Sequence, residues 1–264
     1  MTGLDETTGA IVFFLFGVVF GSFYNALMYR LPIRMPISKG RSICPNCKHT
    51  LGALDLVPIL SWLFLRGKCR YCGKKISPAY LIIEFITGVL FTVAWLLKVE
   101  LVSAAFLAAF WSMLLIVTIM DYRHMLIAES VLVAFTVICA ACLLWQKADI
   151  VNHLLGGAVG FGVYFAIHLL AKLVYKKDAF GFGDVELMAS IGLLLGLRGS
   201  VETLGLSFYV AVIGLIVMKL LGKAVKRGIE IPFGPYICIA GFLVSLFEEN
   251  IYAFYSTVLL GRPF

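Results

Sequence analysis

The chain has 264 residues, 61% of them hydrophobic and only 14% charged, with a formal net charge of +7. Ordinary soluble domains run at about 45 to 50% apolar and about 25% charged, so the composition excludes one and points to a polytopic membrane protein. The positive balance could suggest a nucleic-acid partner, but in a membrane protein it is tested first as a topology signal.

Apolar runs of about 20 residues are long enough to cross a bilayer. Eight are expected, near Gly9 to Tyr29, Ala79 to Leu97, Leu101 to Met120, Leu126 to Trp145, His153 to Val174, Val185 to Leu197, Gly205 to Leu221 and Pro235 to Tyr255. The sixth is short, which sets Asp184 close to the hydrocarbon edge or leaves that helix only partly inserted. A cleaved signal peptide is not expected, because Asp5 and Glu6 stand where a positive n-region belongs.

Lys and Arg set the orientation. With the N-terminus outside, eighteen of the 22 fall on the inner side, ten of them between Arg30 and Lys75, and only Lys98, Lys147, Arg198 and Arg262 remain outside. The expected topology therefore has both termini outside and the long first loop in the cytoplasm. Most of the positive excess is spent on orientation and on anionic lipid, with no nucleic acid required. No internal repeat is evident.

The loop from Leu31 to Pro78 shifts to Pro, Gly, Cys and basic residues and is the one segment large enough for a second domain. It carries Cys44-Pro45-Asn46-Cys47 and Cys69-Arg70-Tyr71-Cys72, with 21 residues between the pairs. Each CxxC turn brings two sulfurs to one side, and two such turns facing each other make the tetrahedral S4 site that Zn(II) prefers. A reducing cytoplasm argues against two disulfides, and a loop this short needs a metal to supply its folding energy. Cys139 and Cys142 lie inside a span without a second pair and read as packing residues, as does Cys238.

Two acids draw attention at the inner membrane edge. Asp184 follows Gly181-Phe182-Gly183 at the mouth of the sixth span, where it is either a helix N-cap or an acid kept for chemistry. A partner must sit at the same edge, which leaves Asp55, Glu84, Asp121, Glu129, Asp178, Glu186 and Glu230. Asp121 closes the apolar run Leu101 to Met120 and mirrors Asp184. Two carboxylates brought together out of water share a proton and can activate a water between them, the chemistry of aspartic proteases. The alternative is that Asp121 pairs with Arg123 or with Lys residues at the interface as an anchoring charge. Glu84 is either a support for the site or an acid at a helix start. His153 and His168 read as packing or hydrogen-bonding residues. The GxxxG spacings at Gly17 and Gly21, Gly156 and Gly160, and Gly192 and Gly196 suit close helix packing.

These pieces resemble the bacterial type IV prepilin peptidases, members of the GxGD aspartyl proteases. The likeness runs through Gly21-Ser22-Phe23 with Asn25 and Arg30-Leu31-Pro32, the four cysteines, Pro58 to Gly67, Glu84, Asp121, Gly181-Phe182-Gly183-Asp184 and Pro232-Phe233-Gly234-Pro235. The resemblance implies an all-α membrane protein of about eight helices: a first helix over residues 1–30, a cytoplasmic zinc-binding domain over 31–78 and a catalytic membrane domain over 79–264. It implies Asp121 and Asp184 as the catalytic pair and Cys44, Cys47, Cys69 and Cys72 as zinc ligands. Its expected activities are removal of a basic leader from prepilins or pseudopilins at the cytoplasmic face of the bacterial inner membrane, and N-methylation of the new N-terminus with S-adenosylmethionine. Gly67 and Lys68 match the family's Gly-basic pair linked to methyl transfer. The chain departs from the family at Ile127-Ala128-Glu129, where Ile-Pro-Asp or Ile-Pro-Asn is usual. A proton-coupled transporter and a non-catalytic zinc-loop adaptor are the rival readings.

Overall fold

The computed structural model describes residues 5–37, 40–98, 100–175, 180–221 and 232–260. The expected candidates Asp178 and Glu230, and the orienting charges Lys39, Lys176, Lys177, Lys223, Lys226, Arg227 and Arg262, lie outside the described residues. Helices are α1 (Glu6–Arg30), α2 (Leu60–Phe64), α3 (Ala79–Lys98), α4 (Leu101–His124), α5 (Glu129–Trp145), α6 (Ile150–Tyr175), α7 (Phe182–Leu220) and α8 (Gly234–Leu260). Five of them are long and apolar enough to cross a membrane, and α5 and the first part of α8 are shorter apolar helices. The chain forms two compact units, Met1–Ser112 and Met113–Phe264.

In the first unit α1 and α3 pack along a seam of small residues. A β-carbon on Gly17 would meet Thr87 O at 2.7 Å, and one on Gly21 would meet Glu84 Cα at 2.7 Å, so the two backbones approach as small-residue seams in membranes allow. At the other end of the seam Trp95 is fully buried against Phe13 and donates its indole N–H to Glu6 O at 3.0 Å. The GxxxG spacing at Gly17 and Gly21 thus serves helix contact.

In the second unit α7 carries both the sixth and the seventh expected spans. Its backbone breaks at Gly196, where φ is 77° and ψ −176°, a conformation open to glycine and costly for any residue with a β-carbon. A β-carbon on Gly160 of α6 would lie 2.6 Å from Met188 O and 3.2 Å from Ser200 Oγ. Twelve residues of straight helix span about 18 Å, so Met188 and Ser200 both reach Gly160 only because α7 folds back on itself. The eight spans read from the sequence are therefore preserved, with a hairpin where a loop was expected. The break leaves backbone groups without helical partners, and α6 supplies them: Asn152 Oδ1 accepts from Leu197 N–H at 3.3 Å, and His153 Nδ1 pairs with Leu193 O at 2.9 Å.

Two differences from the expected bounds bear on the site. α4 runs on to His124, so Asp121 lies within its last turn and not beyond it. α5 starts at Glu129 and not at Leu126, because Met125 has φ 51° and Ala128 is extended at φ −80°, ψ 108°. That φ is one a proline also adopts.

Candidate functional site

Asp184 is the third residue of α7. The N-cap is Gly181, so the capping reading of Asp184 fails. Its side chain is instead buried, with 6% exposure, and Oδ1 has no hydrogen-bond partner among the described residues. A buried carboxylate oxygen left unpaired costs about 1 to 3 kcal/mol or more, which a purely structural acid would not be expected to bear. Asp121 is buried to the same 6%. Its Oδ2 accepts from the backbone N–H of Gly234, the first residue of α8, at 3.0 Å. Among the described residues no ion pair joins it to the exposed Arg123.

The two acids come together. The charge of Asp121 acts on Asp184, and the buried thiol of Cys238 on α8 feels both. Ile127, from the turn between α4 and α5, is wedged against both glycine motifs. A β-carbon on Gly183 would meet Ile127 Cβ at 3.0 Å, and one on Gly234 would meet Ile127 Cδ1 at 3.3 Å and Asp121 Oδ2 at 2.6 Å. The glycines of both motifs thus let three chain segments close around the carboxylates. Behind them Phe180, Phe233 and Phe208 pack against the fully buried ring of Tyr164, with centroids 5.5 to 6.3 Å from it, and the Tyr164 hydroxyl bonds to Ser207 Oγ at 2.8 Å. Sequence reasoning found the two acids and the Pro232 to Pro235 motif but missed Ile127, Tyr164 and Cys238 as neighbours. Their apolar types carry no signal of their own.

Glu186, two residues past Asp184, is only half-buried, and the acid that acts on it is Glu129. His168 Nδ1 pairs with Phe180 O at 2.7 Å, the hydrogen-bonding role expected of it. Cys139 is fully buried in α5, in keeping with packing.

The first unit holds the second constellation. The Sγ atoms of Cys44, Cys47, Cys69 and Cys72 all lie within 4.8 Å of one another and can hold a metal ion. They sit on two hairpins built alike at a spacing of 25 residues. Cys44 N–H donates to His49 O and Cys69 N–H to Lys74 O; Lys48 N–H donates to Cys44 O and Gly73 N–H to Cys69 O; all four bonds are 2.9 Å. Single β-bridges, Ile43 with Thr50 and Lys68 with Lys75, close the two hairpins. The repeat is one of backbone and was not evident in the sequence. Burial works to raise the Cys44 thiol, but the N–H groups of Cys47 and Asn46 and the neighbouring thiols outweigh it and bring it down to about 7. Cys72 goes the other way, to about 11: the Lys74 N–H lowers it, but burial and the three other sulfurs prevail. Four crowded sulfurs do not all ionise together without a cation among them.

Asp55 ties the two hairpins. It takes Arg70 Nε at 2.7 Å, the Tyr71 hydroxyl at 2.9 Å and Gly52 N–H at 3.0 Å, while the Tyr71 ring lies on His49 at 3.7 Å. Burial opposes the Asp55 charge, yet these donors hold its carboxyl below the usual range. Gly67 and Lys68 stand at the start of the second hairpin. Lys68 is exposed, and Gly67, buried at φ 65°, has the Trp62 ring where a β-carbon would be, 2.7 Å from Cζ2.

Residues 15–98 match the bacterial peptidase A24 N-terminal domain, and residues 108–218 match the type IV leader peptidase family. The chain belongs to the type IV leader peptidase family. It is 35% identical over 254 residues to a prepilin leader peptidase/N-methyltransferase of Bacillus subtilis (strain 168), covering 95% of this chain and 99% of that protein. Proteins of the same name from Stutzerimonas stutzeri and Aeromonas hydrophila are each 32% identical, covering 90% and 94% of this chain and 91% and 93% of their own. No solved structure matches the chain. For a member of this family, the multi-pass helical fold sets the protein in the bacterial inner membrane.

Proposed function

We propose that the protein is a membrane aspartyl endopeptidase that removes the short basic leader of type IV prepilins or pseudopilins and methylates the new N-terminus. The observation that carries the reading is the buried carboxylate pair from α4 and α7, with Asp184 Oδ1 lacking a partner among the described residues. Asp121 and Asp184 are the catalytic residues. Two carboxylates close together out of water do not both ionise readily, so the pair shares a proton. One aspartate takes a proton from water as it attacks the peptide carbonyl, the other protonates the carbonyl oxygen, and the roles reverse as the tetrahedral intermediate collapses. The Gly234 N–H fixes one carboxylate for this work.

A prepilin is an apolar helix behind a positive leader, and it lies in the bilayer with its cleavage point at the inner interface. The Lys and Arg distribution favours both termini outside, with the acids and the cysteine loop on the cytoplasmic side. The functional regions are a first helix (1–30), a metal-binding loop domain (31–78) and a catalytic membrane domain (79–264). Zinc is the metal of the four cysteines: a tetrahedral Zn–S4 site has sulfurs about 3.8 Å apart, within the spread seen here. S-adenosylmethionine, when bound, supplies an electrophilic methyl group for the amine. A proton-coupled transporter or an adaptor has no use for a leader peptidase fold with paired acids and is not favoured.

The test is intact mass of a prepilin after incubation with detergent-solubilised protein, with and without S-adenosylmethionine. Leader loss in both samples and a gain of one methyl only with the donor are expected. An unchanged prepilin would reject the reading.

A further inference from the structure

We propose that the cavity enclosed by α1, α3 and the cysteine loop is the binding site for the methyl donor, with Glu84 and Arg41 as its charged contacts. The proposal rests on the methyltransferase half of the function above. The cavity has a volume of about 170 Å³ and lies wholly within the first unit. Its charged lining is Arg30, Arg41, Asp55, Arg70 and Glu84. Three of these are committed. Arg30 gives its guanidinium to the carbonyls of Pro36, Ile37 and Gly40, and Asp55 and Arg70 are paired with each other. Arg41 makes a single long bond, 3.4 Å to Leu51 O, and keeps its other donors.

Glu84 is the remaining acid, 8% exposed and at the α3 end of the cavity. Its Oε2 accepts the N–H of Ile59 at 2.7 Å, and the Ser22 hydroxyl also bonds to its carboxylate. Ile59 is held at φ 60°, ψ −57°, the centre of a γ-turn closed by Leu60 N–H to Pro58 O at 2.5 Å. A β-branched residue in that region is strained, and such strain persists where surrounding contacts over-determine it and clusters at ligand sites. The turn leads directly into α2, which carries Trp62 into the cavity wall. Trp62 is backed by Gly67, and neither Gly67 nor Lys68, the expected methyl-donor pair, is in the cavity lining itself.

The lining fits the chemistry of S-adenosylmethionine. The donor carries a carboxylate, an ammonium and a sulfonium, and a cavity that takes one end of it needs a cation, an anion and aromatic faces. Arg41 answers the carboxylate, Glu84 the positive groups, and Tyr29, Trp62 and Tyr80 offer rings to the sulfonium. In the transfer, the lone pair of the neutral N-terminal amine forms the N–C bond as the C–S bond breaks. Its electrons stay on sulfur, leaving S-adenosylhomocysteine, and the methylated ammonium loses its proton to water.

The experiment is equilibrium binding of radiolabelled S-adenosylmethionine to the full-length, metal-loaded protein and to Glu84→Gln and Arg41→Ala. Gln keeps an acceptor for Ile59 N–H and removes only the charge, and bound metal per chain reports that the loop is intact. Loss of a charge-assisted contact weakens binding by about tenfold or more in each variant. Photo-crosslinked donor should map to peptides containing residues 25–84. Wild-type affinity in both variants, or crosslinks confined to residues beyond 112, would overturn the site while a methylating wild type leaves the function standing. A wild-type protein that neither binds the donor nor methylates a processed pilin would overturn both. If Glu84→Gln loses its metal, Arg41→Ala decides.

Discussion

Gly234→Ala tests what positions Asp121. The added methyl would stand 2.6 Å from Asp121 Oδ2, against an ordinary contact that begins near 3.4 Å, so the carboxylate must retreat by about 0.8 Å. That retreat breaks the 3.0 Å bond from the Gly234 N–H. A hydrogen bond to a charged group is worth about 1.5 to 3 kcal/mol, and a misplacement approaching 1 Å at a reacting group costs on the order of a hundredfold in rate. Gly234 is the first residue of α8, so the preference of helix interiors for alanine does not offset this loss. Leader cleavage by the variant, compared at matched folded protein levels, should therefore fall by about 10- to 100-fold in kcat/KM. Wild-type kcat/KM in a folded Gly234→Ala protein would refute the view that this N–H sets the position of Asp121.

The metal loop offers two further tests. Elemental analysis should find one zinc per chain, and Cys44→Ser or Cys69→Ser should abolish it and expose residues 40–78 to protease, because the two hairpins have little core besides the metal. Loop protection that survives loss of metal would count against a structural role. Lys48 has φ 60° at the place where the second hairpin has Gly73 at 68°. Lys48→Gly should raise loop stability by up to about 1 kcal/mol, read as slower metal release to a chelator. Faster release would mean that the strain is compensated by contacts of the lysine.

Much of this was legible in the sequence, for reasons that differ from place to place. Apolar run length sufficed for the helices, and the more polar stretch from Arg198 to Leu204 was enough to split α7 into two spans. The tightness of that reversal was not readable, since it depends on Asn152 and His153 capping the break from another helix. The four cysteines declared their site by spacing alone. The repeat of the two hairpins was hidden because their hydrogen bonds are all backbone, so only the cysteines are shared between residues 42–51 and 67–76. The acids were found by type and depth. What the sequence withheld was how each is held: Asp121 by a glycine N–H 113 residues away, and Asp184 by apolar walls that leave one oxygen without a partner among the described residues. The cavity beside Glu84 was equally hidden, because α1, the loop and α3 supply it together.

The central claim is that Asp121 and Asp184 act as one catalytic unit. Its most direct test is prepilin cleavage by membranes containing Asp121→Asn, Asp184→Asn and the double variant at matched folded protein levels. Each single change should abolish leader removal, and the double variant should be no worse than either one. Full cleavage by either single variant, or losses that multiply in the double, would contradict a shared proton and water.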